Sequence, residues 1–195
     1  MVKKLVKQAQ NGDADAFVQL MEENRQKMYK VVICYVNNPE DAADIMQDTM
    51  LTVFEKIRDL KEPGYFKTWL TRILINKCKD FLDKRSWEIA FGEMPEKAYS
   101  DTALDHLMYE ELIQAVDEQY RDILVLHYVE GFKAKEIAEV LGMKDATVRT
   151  RLRRGRENLM QVYERQSGNQ KGLGKKGKAV VNSMFQERMG KYYAG

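Results

Sequence analysis

Five arginines stand within eight residues: Arg149, Arg151, Arg153, Arg154 and Arg156. Guanidinium groups bond guanine edges in pairs and also grip phosphates, so a cluster of this kind suits nucleic acid. A second set, Trp69, Arg72, Asn76, Lys79 and Asp83, recurs at steps of three and four and so lies along one helical stripe. A ring followed by cations and an amide can stack on unpaired bases and hold their phosphates. Taken by itself, Trp69 reads rather as a core residue. A third set is acidic: Glu40, Asp44 and Asp48 repeat at four, and Glu55 and Asp59 carry the charge further. Like charges at that spacing cost a helix roughly 0.2–0.5 kcal/mol per pair. A solvated face explains them at least as well as a docking surface does.

These sets need helices to present them, and apolar periodicity supplies the helices. Asp13 to Asn37 reads as one, with room for a break at Glu23-Asn24; Phe17, Leu20, Met21, Met28, Val31, Val32 and Tyr35 form its buried face. Asn38 is a good N-cap, Pro39 fits the first helical position, and Glu40 and Asp41 complement the dipole. The helix so started runs to about Leu60 on Ala42, Ile45, Met46, Met50, Val53, Phe54 and Ile57, and Lys61-Glu62-Pro63-Gly64 ends it. A third runs from about Phe66 to Arg85 on Phe66, Leu70, Ile73, Leu74, Cys78, Phe81 and Leu82.

Residues 86–103 lose the periodicity, hold Gly92, Pro95 and scattered acids, and read as a linker. Helical pattern returns at Leu104 and continues to about Tyr163. Within it, Ile137, Ala138, Leu141, Gly142, Met143 and Val148 have the spacing of a helix-turn-helix. Ala138 allows a close crossing, Gly142 makes the turn, and Val148 seats the second helix, whose inner side continues through Leu152, Leu159 and Val162. The arginine cluster then occupies the exposed side of a recognition helix. A solvated basic helix of a bundle would account for the arginines but not for the turn as well. The last thirty residues hold Gly168, Gly172, Gly174 and Gly177 and five lysines. They read as disordered to about Lys178, with a weak helix over Ala179–Tyr193. No strand and no internal repeat is read, so the expected fold class is all-α, with two small helical domains.

Composition closes off other classes. The chain has 195 residues, 44% of them hydrophobic and 32% charged, and only three prolines. No apolar run is long enough to span a membrane. Met1-Val2-Lys3-Lys4-Leu5 has no apolar stretch behind it, so no secretory leader is read and a cytoplasmic protein is expected. Cys34 and Cys78 lie on apolar faces and can build neither a disulfide scaffold nor a zinc site alone. There is no G-x-x-x-x-G-K-[ST], H-E-x-x-H or G-x-S-x-G, so no enzyme, metal or cofactor is expected. His106 and His127 are the only histidines, and His127 reads as structural. The net charge of +2 is uninformative, because it hides segregation: residues 166–195 hold six Lys or Arg against one acid.

The order of motifs resembles a bacterial sigma factor of the extracytoplasmic-function (ECF) type in the sigma-70 family. Region 2 of that family is similar to Pro39-Glu40-Asp41-Ala42-Ala43-Asp44-Ile45-Met46-Gln47-Asp48 through Phe54, then Phe66-Lys67-Thr68-Trp69-Leu70-Thr71-Arg72 through Asn76. Region 4 is similar to Tyr128-Val129-Glu130-Gly131-Phe132-Lys133, Glu136-Ile137-Ala138 and Thr147-Val148-Arg149-Thr150-Arg151-Leu152. The resemblance covers about residues 10–165. It implies a transcription initiation factor that joins core RNA polymerase, through the β′ clamp helices and β flap, and directs it to promoter DNA. An anti-sigma factor is implied as regulator.

By the same resemblance, Asp44, Gln47 and Asp48 would dock on polymerase. Tyr65, in the loop Leu60–Lys67, with Trp69, Arg72, Asn76 and Lys79, would read and hold the −10 strand. Thr147, Arg149, Thr150 and Arg153 would meet −35 bases, and Lys133, Arg151 and Arg156 phosphates. Residues 1–85 would be region 2, 86–103 the linker, 104–165 region 4 and 166–195 a basic tail, which departs from the family's usual short ending. The rivals are a one-component helix-turn-helix regulator, which would bind DNA without polymerase, and an adaptor whose main partner is a protein.

Overall fold

The computed structural model describes residues 1–36, 38–91 and 112–166, and the chain divides near residue 102 into two compact units. Each is built of helices, and no strand occurs among the described residues. The expected all-α class is therefore observed.

The first unit contains α1 (Val2–Gln10), α2 (Ala14–Ile33), α3 (Pro39–Lys56) and α4 (Phe66–Ala90). Short 3-10 turns at Ile57–Asp59 and Pro63–Tyr65 lie between α3 and α4. The start signals act as their chemistry dictates. The Asp13 side chain accepts from Ala16 N at 3.0 Å, and Asn38 accepts from Glu40 N at 2.7 Å and Asp41 N at 3.2 Å. Leu5, Val6, Leu20, Met28, Val31, Val32, Ala42, Ile45, Val53, Phe66, Leu70, Leu74 and Cys78 are all buried in this unit.

Several expectations are corrected. The helix α1 lies ahead of the first helix read in the sequence. α2 shows no break at Glu23-Asn24: the Asn24 amide bonds back to Leu20 O at 2.8 Å, which keeps the side chain on its own helix. It also ends at Ile33, short of Asn37. On α3, Phe54 is exposed, with only a ring edge against Phe17 at 5.2 Å between centroids. Val53 takes the inward position, and adjacent residues sit 100° apart, so Phe54 cannot share it. Thr49 fills the turn before Val53 and is buried, its hydroxyl bonded to Ile45 O at 2.7 Å. On α4, Ile75 is buried while Ile73, Phe81 and Leu82 are only half-buried. α4 also runs five residues into the segment read as linker. Loss of apolar periodicity does not stop a helix; a breaker does, and none occurs before Gly92. Residues 92–103, the start of helical pattern at Leu104, and the tail from 167 onward lie outside the described residues.

The second unit contains a helical stretch at 112–114, α5 (Glu118–Leu124), a π turn (Val125–Val129), α6 (Ala134–Leu141) and α7 (Asp145–Gln166). Ile113, Ile123, Leu124, Leu126, Ile137, Val148, Leu152 and Leu159 form its core. Gly142 ends α6 with φ 63°, a left-handed value that costs a side-chain-bearing residue about 1 kcal/mol. Gly155 admits a close approach between α5 and α7: a Cβ there would lie 3.1 Å from Tyr120 Cβ and 3.3 Å from Leu124 Cγ.

Candidate nucleic-acid interface

α7 carries the arginine cluster. Val148 and Leu152 are buried, which turns Arg149, Arg153, Arg154 and Arg156 outward; Arg151 is half-buried with Nη1 3.9 Å from Met143 Sδ. Thr150 is exposed and its hydroxyl bonds Ala146 O at 3.0 Å, while Thr147 is half-buried. Lys133, just ahead of α6, is exposed, and its backbone N–H donates to Glu136 Oε2 at 2.8 Å.

The arginines are not all idle. Arg149 Nε pairs with Asp145 Oδ2 at 2.8 Å, and Arg153 Nη1 pairs with Glu157 Oε1 at 2.9 Å. Both pairs are solvent-exposed and four residues apart, a type worth about 0.3–0.5 kcal/mol, so phosphate or guanine can displace the acid at small cost. Arg156 is held differently. Its guanidinium lies 5.7 Å from the centre of the Tyr128 ring, and Nη2 is 3.4 Å from His127 Nε2. His127 Nδ1 is 3.0 Å from Phe132 O, and a carbonyl only accepts, so Nδ1 carries the hydrogen and Nε2 faces Arg156 with a lone pair. His127 is structural, as its sequence context indicates, but it also orients a residue of the cationic face. Asp145, Glu157, His127 and Tyr128 were missed as partners of that face. The two acids were legible as i, i+4 neighbours; the His127 contact spans 29 residues and had no local signal.

In the first unit, Arg72 and Asn76 are exposed on α4, Trp69 and Lys79 are half-buried, and Tyr65 is exposed in the turn before it. The stripe is thus real as a surface. Trp69 is neither core nor free: it packs on buried Phe66 with ring centroids 6.3 Å apart. On α3, Asp44, Gln47 and Asp48 are exposed, and among the described residues their side chains have no partner; the Thr52 hydroxyl donates only to the Asp48 backbone carbonyl, at 2.9 Å. Asp41, one turn earlier, does have a partner: Arg85 of α4 at 3.0 Å, both groups about four-fifths buried. Both cysteines are buried as thiols, and Cys34 Sγ donates to Lys30 O at 3.2 Å. Among the described residues no helix is long and apolar enough to cross a membrane.

Two helical units, one bearing an unpartnered acid face and a polar-aromatic stripe and the other a helix-turn-helix with a cationic outer face, define a two-module DNA-directed factor. The family models agree with that reading. Residues 20–88 match Sigma-70 region 2, and residues 106–159 match Sigma-70 region 4. The chain is 30% identical over 178 residues to the ECF RNA polymerase sigma factor SigW of Bacillus subtilis strain 168, covering 82% of this chain and 95% of SigW. It is 31% identical over 140 residues to the RNA polymerase sigma factor SigV of the same strain, covering 70% of this chain and 84% of SigV. A solved structure of similar fold is the sigma factor RpoE in complex with the anti-sigma factor NepR from Bartonella quintana. It has a TM-score of 0.63 and 21% identity, and the match covers 73% of this chain and 95% of that one. The chain belongs to the sigma-70 family, in its extracytoplasmic-function group. It is a transcription initiation factor, and the one-component regulator is not favoured. Members of this family generally act as initiation factors rather than enzymes.

Proposed function

We propose that this protein joins core RNA polymerase in the cytoplasm, brings it to a particular set of promoters and helps to open them, with no chemistry of its own. The observation that carries the reading is the pairing of region 2 and region 4 matches on one chain, each with the expected polar face turned outward. Residues 1–85, with α4 continuing beyond them, would be the polymerase-docking and −10 module, and residues 104–165 the −35 module.

Roles follow from chemistry and exposure. Asp44, Gln47 and Asp48 would dock on the β′ clamp helices: an exposed acid ladder is unfavourable in a free helix and gains cations in a complex. Tyr65, Trp69, Arg72, Asn76 and Lys79 would hold the melted −10 strand by stacking, amide recognition and phosphate contact. Arg149, Thr150 and Arg153, with Thr147, would read −35 edges, while Lys133, Arg151 and Arg156 would hold phosphates. The second unit would also meet the β flap. An anti-sigma factor, of the kind found with the similarly folded RpoE, would hold the protein inactive until a signal releases it.

The decisive experiment is run-off transcription by purified core polymerase, with and without this protein, on fragments of the source genome. Discrete promoter-dependent transcripts only in its presence are expected. Promoter binding by the protein alone, with no effect on polymerase, would return the reading to a one-component regulator.

A further inference from the structure

The loop between α3 and α4 is held in place by a helix outside the region 2 match. That match begins at residue 20, whereas α1 spans Val2–Gln10. The Gln10 carboxamide Nε2 donates to two backbone carbonyls at once, Ile57 O at 2.9 Å and Leu60 O at 2.7 Å. These acceptors lie where α3 ends, and carbonyls at a helix end have no partner within the helix. Across the same turn the backbone itself supplies a long bond, from Leu60 N to Ile57 O at 3.3 Å. Two further contacts come from the same quarter. Arg58 Nη2 lies 3.8 Å from where a Cβ would stand on Gly12, and the Lys3 side chain lies against Gly64, with Cε 3.1 Å and Nζ 3.5 Å from a Cβ built there. Leu5, Val6 and Ala9 are buried and fix α1 in position, while Tyr65 at the loop's far end stays exposed.

We propose that α1 is a brace for the 57–65 loop and that Gln10 is a positioning residue for recognition of the −10 strand. The inference rests on the reading of that loop as part of the −10 site. Gln10 does not touch DNA; its two bonds fix the path from Ile57 to Leu60, and that path sets where Tyr65 and the first turn of α4 present their groups. A loop free to sample many conformations refits its groups around a wrong base, so the discrimination that one fixed path imposes is lost.

The test uses holoenzyme assembled from core polymerase and full-length protein on a promoter found by run-off transcription. Open complex is read by permanganate at matched promoter occupancy, on the parent promoter and on single-base −10 variants. Gln10→Ala is expected to lower opening about threefold to tenfold, and to narrow the ratio between parent and variant promoters while leaving −35 binding unchanged. Gln10→Lys, whose ammonium can donate to both carbonyls, restores both. A stability role alone would not move the ratio. If Tyr65→Ala and Asn76→Ala open promoters as the parent does, the −10 reading of this face falls and the inference falls with it. If those two fail while Gln10→Ala opens and discriminates normally, the inference alone is overturned. Should Gln10→Ala not fold, Gln10→Glu and Gln10→Lys decide: the first is isosteric but has no donor, the second keeps donors, and equal discrimination by the two overturns the proposal.

Discussion

At the scale of single residues, the cationic face of α7 divides by what already holds each guanidinium. Arg149 and Arg153 are paired only with exposed acids one turn away, so they are easily released to a base edge. Arg156 is kept by His127 and Tyr128, a geometry that suits a fixed cation beside the backbone. A bidentate guanine contact is worth about 1–3 kcal/mol of discrimination. Arg149→Ala or Arg153→Ala in the polymerase complex should therefore relax selectivity at one or two −35 positions. Arg156→Ala should lower affinity for all sequences and reduce the salt slope by about one unit. Competition binding over a panel of single-base −35 variants at two salt concentrations separates the two outcomes, and equal losses for all three would leave Thr147 and Thr150 as the readers. The acid ladder makes a second residue-scale prediction. Asp44→Lys with Asp48→Lys should weaken core polymerase binding without lowering the melting temperature, because both side chains are exposed and unpartnered among the described residues. A collapse in melting temperature, or unchanged binding measured by co-elution with core, would remove them from the docking face.

At the scale of elements, Gly155 marks how closely α5 and α7 are packed. The contact partner at 3.1 Å is Tyr120 Cβ, an atom next to the backbone that cannot swing away. Gly155→Leu should destabilise the second unit by about 1–3 kcal/mol, the usual cost of overpacking. Gly155→Ala should be milder, because its gain in helix propensity, about 1 kcal/mol, opposes the clash. Urea melts followed by circular dichroism would rank the two. The elements also show what periodicity can and cannot reveal. α3 was legible to its first residue, because Asn38, Pro39 and two acids are a start signal made of local chemistry. The helix-turn-helix was legible because Ala138, Gly142 and Val148 each answer a local geometric need. The helix α1 was not: it offers only three buried apolar residues, and its N-cap, Met1, makes no side-chain cap hydrogen bond. The extension of α4 to Ala90 was missed because exposed Trp87 and Ile89 break the stripe without breaking the helix. Gln10, Arg85 and His127 act across 47, 44 and 29 residues, and contacts at that separation leave no mark on spacing.

At the scale of the whole molecule, the charge distribution sets how the protein meets DNA. Deleting residues 168–195 should leave both units folded, since every core side chain named above lies at or before Val162, and should lower salt-sensitive binding to random duplex, because the segment carries an excess of cations. Helical content measured by circular dichroism and duplex affinity at two salt concentrations check both halves; a loss of helicity well beyond the deleted length would show that the tail packs on the body. The two acids of α7 bear on the same balance in a different way. Most of a genome is the wrong sequence, and a helix of bare arginines would linger on all of it. On the proposed reading of Arg149 and Arg153, each misplaced encounter would forfeit an ion pair worth about 0.3–0.5 kcal/mol, which a correct guanine contact, worth about 1–3 kcal/mol, would more than replace. The pairs would then shorten residence at wrong sites by a small factor and leave the correct one less affected, which would speed the search across the chromosome. Glu157→Gln should accordingly raise affinity for random DNA more than for the promoter and lengthen non-cognate dwell times in single-molecule tracking of the holoenzyme.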